Sequence, residues 1–353
     1  MPSIAYTTLL AVAQQAKLWI TPARQTYAQL PSGAVPLWSE EFFTWCYAKF
    51  NFQNFPAPIT YNKVLRTLDE TAQSQPREET QPANLRTAAT KDGYRIDLGE
   101  ATVHLTGKQW KITETSLLAP DDNRGINFLR PIANRPLPHP TQSDTELDVH
   151  LRTAFGLKAA SPKEDDPAKA LGQWLELALR PDTHCPPLIL TGELRDEAAE
   201  AIRQLIDPVT CPLLPFPTGR NEAGWMALYN RVLPFQILGT ITEFKRNIIT
   251  ELSRGLFNAR LRQTDRKGPK RYQQLGRPVI LTVDQAPEIC PNQIVIEINK
   301  CGPLPQQEVL AALFNQMVRS LRDEPKPWPI SIEVYAAPAL NSFVRLQADA
   351  PIP

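Results

Sequence analysis

Apolar residues in the first 75 positions recur mostly at helical spacing. Thr7 to Leu18 reads as a first helix, and Trp19-Ile20 with Thr26–Leu30 as a small hairpin. Ser39, followed directly by two glutamates, caps the segment SEEFFTWCYAKF. A third helix, ITYNKVLRTLDETAQ, spaces Val64, Leu65 and Leu68 at the same period. Trp38, Phe42, Phe43, Trp45, Tyr47 and Phe50 could stack nucleic-acid bases. Aromatic residues at helical spacing in a small helical domain are core more often, and core is the expectation here. Residues 1–75 are therefore read as a small, mostly helical domain.

The period then disappears. Residues 76–90 are polar and proline-bearing, a linker by composition. Over 91–117 apolar and polar positions alternate (Tyr94, Ile96, Leu98; Val103, Leu105; Trp110, Ile112), with turns at Gly99-Glu100 and Gly107-Lys108. This predicts a short β-meander, with His104 on the face opposite Val103 and Leu105. A proline-rich joint occupies 118–142 and should run extended. From 143 to 353 strand-like and helix-like blocks alternate. The expected fold class is α/β, with a mainly parallel sheet.

Composition narrows the function classes. Lys+Arg number 38 against 37 Asp+Glu in 353 residues, so only a local cluster could argue for a polyanionic partner. The 35 prolines, about twice the usual share, fall between periodic segments as loop stiffeners. Cys46, Cys185, Cys211, Cys290 and Cys301 form no CxxC pair, and the four histidines have no metal-ligand spacing. The expectation is a reduced, metal-free, cytoplasmic protein. No stretch approaches the ~20 apolar residues that a spanning helix needs, and the N-terminus lacks the features of a signal peptide.

The most informative passage is CPPLILTGELRDEAAEAIRQLIDP. Pro187 to Thr191 is a buried-strand run, Gly192 opens a turn, and Glu197 to Ile206 is an amphipathic helix. Strand, loop and helix are what a phosphate-binding loop of pattern G-x-x-x-x-G-K-[ST] requires. Its glycines let backbone N–H groups wrap the phosphates, its lysine neutralises their charge, and its hydroxyl holds Mg²⁺. Counting from Gly192, Glu197 takes the place of the second glycine, Ala198 of the lysine and Ala199 of the hydroxyl. Glu193, Asp196, Glu197 and Glu200 also put carboxylates where a triphosphate would sit, and these satisfy the helix dipole from within.

With FLRPIANRPLP, ALGQWLELALRPD, PLILTGE, RQLIDP, RGLFNARLRQTD and QLGRPVILTV in order, roughly from Gly93 to Ile298, the chain resembles a known family. It is that of the helicase-type P-loop ATPases of phages and mobile elements, primase-associated and related to superfamily 3 helicases. The resemblance implies a P-loop NTPase-like C-terminal domain whose second acidic motif is an apolar strand ending in aspartate. In RVLPFQILG, Gln236 stands there instead. The family's polar sensor position, typically asparagine, is Thr282 in RPVILTV. Lysine, hydroxyl and acidic residue are lost together. This implies a pseudo-ATPase with no catalytic residues, no nucleotide cofactor and no metal.

A basic run remains. Lys245, Arg246, Arg254, Arg260, Arg262, Arg266, Lys267, Lys270, Arg271 and Arg277 are opposed only by Glu251 and Asp265. Arg254, Arg260, Arg262, Arg266, Lys267, Lys270 and Arg271 are the candidate nucleic-acid contacts, to phosphate and without sequence preference. In the related hexameric helicases, loops of this region face the central channel. A solvated basic face, or a surface for protein, accounts for the same residues. No GxSxG, HExxH or Cys–His pair suggests another chemistry. The leading expectation is an inactive helicase-like protein of a mobile element or prophage, binding DNA (single- or double-stranded) or scaffolding protein partners in replication, transposition or defence. It could assemble as an oligomer. A divergent active ATPase or helicase and a purely protein–protein interaction module stand as alternatives.

Overall fold

The computed structural model describes residues 4–21, 24–31, 33–50, 55–74, 76, 83–114, 127–131, 134–158, 166–181, 184–209, 213–260, 272–285 and 293–323. The chain forms two compact units: Met1–Leu85 with Ser116–Ile132 and Arg260–Gln273, and Arg86–Thr115 with Ala133–Ala259 and Gln274–Pro353.

The first unit begins with α1 (Ile4–Ala13), followed by β1 (Lys17–Ile20), β2 (Thr26–Leu30) and β3 (Gly33–Pro36). The expected hairpin is present: β1 and β2 pair antiparallel, with Trp19 opposite Tyr27 and their rings stacked at 4.7 Å. Next come α2 (Glu40–Phe50), α3 (Pro58–Gln73) and β4 (Ala83–Leu85). Ser39 caps α2 as expected, its Oγ accepting from Phe42 N at 3.2 Å. Val64, Leu65 and Leu68 of α3 are all buried, against Leu9, Phe42 and Cys46 among others. Burial pushes the Cys46 thiol up to about 12, so it stays a protonated core residue at neutral pH.

The second unit opens with the antiparallel meander. β5 (Thr87–Ala89) precedes β6 (Gly93–Asp97), β7 (Ala101–Thr106) and β8 (Trp110–Glu114), paired in that order. Thr87–Ala89 thus adds a strand from the stretch read as a linker. His104 faces partly to solvent, with Nε2 3.2 Å from Asp92 Oδ1. Asp97 is buried and accepts from Gly99 N at 3.0 Å, so it shapes the turn. β9 (Asn127–Leu129) returns to the first unit. There it completes a five-stranded sheet of order β1-β2-β3-β9-β4 beside the helices.

The α/β layer comes next: α4 (Leu147–Phe155), α5 (Pro167–Leu179), β10 (Leu188–Thr191), α6 (Arg195–Ile206), β11 (Leu214–Pro215), α7 (Arg220–Tyr229), β12 (Leu233–Ile237) and α8 (Glu243–Ser253). β13 (Phe257–Arg260) and β14 (Tyr272–Leu275) form a two-stranded ribbon, and β15 (Val279–Val283), β16 (Ile294–Glu297) and α9 (Gln306–Arg322) complete the described chain. β11-β12-β15-β10-β16 is a five-stranded, wholly parallel sheet. Its strands are near-continuous apolar runs because helices cover both faces. The fold class is α/β, and the first of the parallel strands, β10, is inserted between the last two, β15 and β16. That is a P-loop NTPase-like arrangement. One core joins meander, sheet and helices, with Ile96, Val103, Trp174, Leu190, Ile202, Ile280 and Phe314 all fully buried. Trp110 anchors the meander to α9 through an indole N–H to Asn315 Oδ1 at 2.9 Å.

A buried ion pair ties this unit together. Asp207 Oδ1 accepts from Arg86 Nε at 3.0 Å, and Oδ2 from the backbone N–H groups of Arg231 and Val232 at 2.9 and 3.0 Å. Both side chains are buried, at 3% and 0% exposed. Removing the carboxylate in Asp207→Ala leaves a guanidinium and two amides uncompensated, so stability should fall by about 3–5 kcal/mol. Urea unfolding should place Asp207→Asn between this variant and the parent, because an amide oxygen can still accept.

Candidate functional site

In an open parallel sheet, ligands bind beyond the carboxyl ends of strands where the connections part in opposite directions. Here that point is the end of β10. The chain leaves β10 through α6 to the far edge of the sheet, while the β15-to-β16 connection crosses over β10. Gly192 sits there at φ +94°. A Cβ on it would come within 2.3 Å of the Ile298 carbonyl oxygen and 2.8 Å of Asn299 Oδ1. Only glycine serves at this position, for its backbone conformation and for the close approach of β16's trailing residues.

Beyond Gly192 the backbone makes a tight turn and not a cradle. α6 already starts at Arg195, and Leu194 N donates to Ile298 O at 3.2 Å, turning one amide of the turn toward protein. Ala198 and Ala199 are each 0% exposed, packed in the core beneath the helix with Ile202. Glu197 lies on the exposed side of α6. Its charge and desolvation together raise the pKa of the Cys301 thiol, desolvation being the larger cause.

The other two sequence-derived positions come together beside this turn. Leu190, Thr282 and Gln236 lie in one row across β10, β15 and β12, in direct register. Gln236 Nε2 donates to Asp196 Oδ2 at 2.8 Å, so the amide in the acidic position holds the first turn of α6 to the sheet. Thr282 is buried, and among the described residues its hydroxyl has no hydrogen-bond partner. Sequence reasoning missed Arg195. Its guanidinium donates to Gly192 O at 3.0 Å and pairs with Asp284, just past β15, so an ion pair spans the end of the sheet. A basic residue at the first helical position, and an aspartate two residues after Thr282, were the only signals available.

The basic run is only partly visible. Arg254 is exposed at the C-cap of α8, and Arg260 ends β13. Arg262, Arg266, Lys267, Lys270 and Arg271 lie outside the described residues. Arg277 is structural: its Nε donates to Ala227 O at 2.7 Å and its Nη1 to Gly276 O at 2.8 Å. Lys245 Nζ lies 5.8 Å from the centre of the Phe216 ring. Among the described residues no group of three or more His, Cys, Asp or Glu could hold a metal ion, and no helix is long and apolar enough to cross a membrane.

No protein-family model and no curated protein sequence matches the chain. Among solved structures it is similar to the apo C-terminal region of NrS-1, in two determinations. One has 9% identity over 91% of this chain and 69% of that one, at TM-score 0.38. The other has 10% identity over 91% and 71%, at TM-score 0.39. The JCV helicase, solved with a thiazolopyridine compound, has 11% identity over 51% of this chain and 53% of its own, at TM-score 0.27. With TM-scores below 0.5, the site rests on the strand order and turn geometry of this chain.

The geometry at Gly192 makes a direct forecast. Gly192→Ala should cost about 3 kcal/mol, from a strained backbone conformation and a backbone clash combined. Calorimetry would register this as a lower melting temperature. A neutral result would mean that the turn readily takes another shape.

Proposed function

We propose that this protein is a catalytically inactive, helicase-type ATPase-like subunit of a mobile element or prophage, acting by binding nucleic acid or scaffolding partners. The single observation that carries the reading is the burial of Ala198 and Ala199. In a working phosphate loop the corresponding lysine and hydroxyl reach out to phosphate and Mg²⁺. Here both positions point into the apolar core, and the preceding backbone has closed into a helix from Arg195. Gln236 in the acidic position is engaged with Asp196, and Arg195 with Asp284. The Thr282 hydroxyl beside them is buried and has no hydrogen-bond partner among the described residues.

The test has two arms. Millimolar ATP with Mg²⁺ should leave the melting temperature unchanged, since only a ligand of the folded state raises it. Ala198→Lys should not restore binding. It should destabilise by about 3 kcal/mol or more, because it forces an ammonium group into the core. A Mg²⁺-dependent rise in melting temperature in the parent would overturn the reading and favour a divergent ATPase.

Nucleic-acid contact by the residues between β13 and β14 is the positive half of the proposal. The ribbon carries Arg260 at one end, and Arg262, Arg266, Lys267, Lys270 and Arg271 join its strands. Neutralising Arg262, Arg266, Lys267 and Arg271 together should weaken binding to any DNA sequence alike. It should also flatten the salt dependence, by about one unit of log–log slope for each phosphate that is no longer neutralised. Salt-independent binding, or none by the parent protein, would leave a protein–protein scaffold as the role.

A further inference from the structure

The meander stops at an open edge. β8 pairs with β7 on one side, and among the described residues no strand lies on its other side. Trp110 is half-buried, and Lys111, Ile112, Thr113 and Glu114 are all exposed. Two rows of side chains cross the sheet in direct register and end here. On the inner face the row is Ile96, Val103 and Ile112; the first two are fully buried, and Ile112 is 37% exposed. On the outer face it is Arg95, His104 and Lys111. Asp92 pairs with His104, and Lys111 stands at the exposed end of the row. Such an edge displays unpaired backbone groups, and proteins cover or blunt them.

The chain supplies a strand that fits. α9 ends against the turn that leads into β8: a Cβ on Gly107 would lie 3.2 Å from Arg322 Cα. The sequence beyond Asp323, EPKPWPISIEVY, lies outside the described residues. Pro325, Pro327 and Pro329 predict an extended chain there. Residues 330–335 then alternate, with Ile330, Ile332 and Val334 on one side and Ser331, Glu333 and Tyr335 on the other. Ile330 is eight positions beyond Arg322, a reach of about 25 Å in extended chain. β8 spans only about 17 Å. The segment can therefore enter from either end of the edge. Setting Glu333 beside Lys111 brings Ile332 to Ile112 in an antiparallel pairing and Val334 to Ile112 in a parallel one. An apolar side chain covers Ile112 both ways.

We propose that residues 330–335 dock on β8 as a fifth strand of the meander, extending the row of Ile96, Val103 and Ile112 inside and placing Glu333 against Lys111 outside. The chain's own segment then occupies the edge that would otherwise recruit a strand from another molecule. This docking depends neither on the state of the nucleotide site nor on the β13–β14 ribbon.

Hydrogen–deuterium exchange of the full chain, read on peptides that cover β8, tests it. The β8 amides that point away from β7 should exchange about tenfold more slowly in the parent than in a variant carrying Ile332→Asp and Val334→Asp together. Those substitutions put carboxylates on the apolar row in either direction of pairing. Peptides from α5 and β10 should exchange alike in both proteins, which separates undocking from unfolding. Glu333→Lys alone should speed β8 exchange about threefold, and adding Lys111→Glu should restore the parent rate. Rapid β8 exchange in the parent would overturn the proposal. So would protection that survives the double substitution, since another segment would then cover the edge. Protection that falls on dilution would overturn it by making a second copy the occupant. A Glu333→Lys effect that is absent, or that Lys111→Glu does not reverse, would overturn the facing assigned to the strand, and the proposal with it.

Discussion

Asp207 is the residue on which the second unit depends. It ends α6, and its two carboxylate oxygens take three donors from two distant segments: the Arg86 guanidinium and the amides of Arg231 and Val232. Arg86 stands at the entry to the meander at φ +63°, and also donates to Pro208 O and to Arg135 O. Arg231 leads into β12 and reaches back to the carbonyls of Ala178 and Arg180 at the end of α5. A charge with 0% exposure is tolerated only when its partners are complete, and here they come from the entry to the meander and the entry to β12. The meander therefore folds with the parallel sheet, and is held by an electrostatic joint as well as by Trp110 against α9.

The same helix that ends on Asp207 begins at the candidate site. α6 is fastened at its start by Gln236 to Asp196 and by Arg195 to Asp284 and to Gly192 O. Its middle is fastened by Ala198, Ala199 and Ile202 in the core. A phosphate-binding loop needs backbone amides left free and a helix that starts late enough to leave a hollow. α6 begins only three residues after Gly192, and the Leu194 amide of that turn is already taken by Ile298 O.

In the first unit the division of α2 into a core face and an exposed ring face comes from helical geometry. Phe42 and Cys46, four residues apart, point into the core. Phe43 and Tyr47 are turned one residue further round and meet Phe55, which like Phe50 also packs against that core. Packing of α1 and β3 against α2 decides which rings are interior. The expectation that the whole aromatic set is core therefore holds for Phe42, and for Trp45 in part, but not for Phe43.

Much was legible from residue types alone. The period of two from Tyr94 to Ile112, the Ser39 cap, the pairing of Trp19-Ile20 with Thr26–Leu30, and the strand–turn–helix around Gly192 are local patterns that the observed elements reproduce. Local pattern also singled out Ala198, Ala199, Gln236 and Thr282 as departures from the phosphate-loop pattern that the resemblance implies. It could not show that Gln236 and Thr282 lie side by side in register, that Arg195 and Asp284 close the end of the sheet, or that Asp207 pairs with Arg86 at the entry to the meander. Those pairs join residues far apart in the chain, 46, 89 and 121 positions respectively. Helical and strand periods are short-range properties of the backbone and were readable directly. The partner of a buried charge is chosen by whichever distant segment packing brings within about 3 Å, and only the tertiary structure decided that.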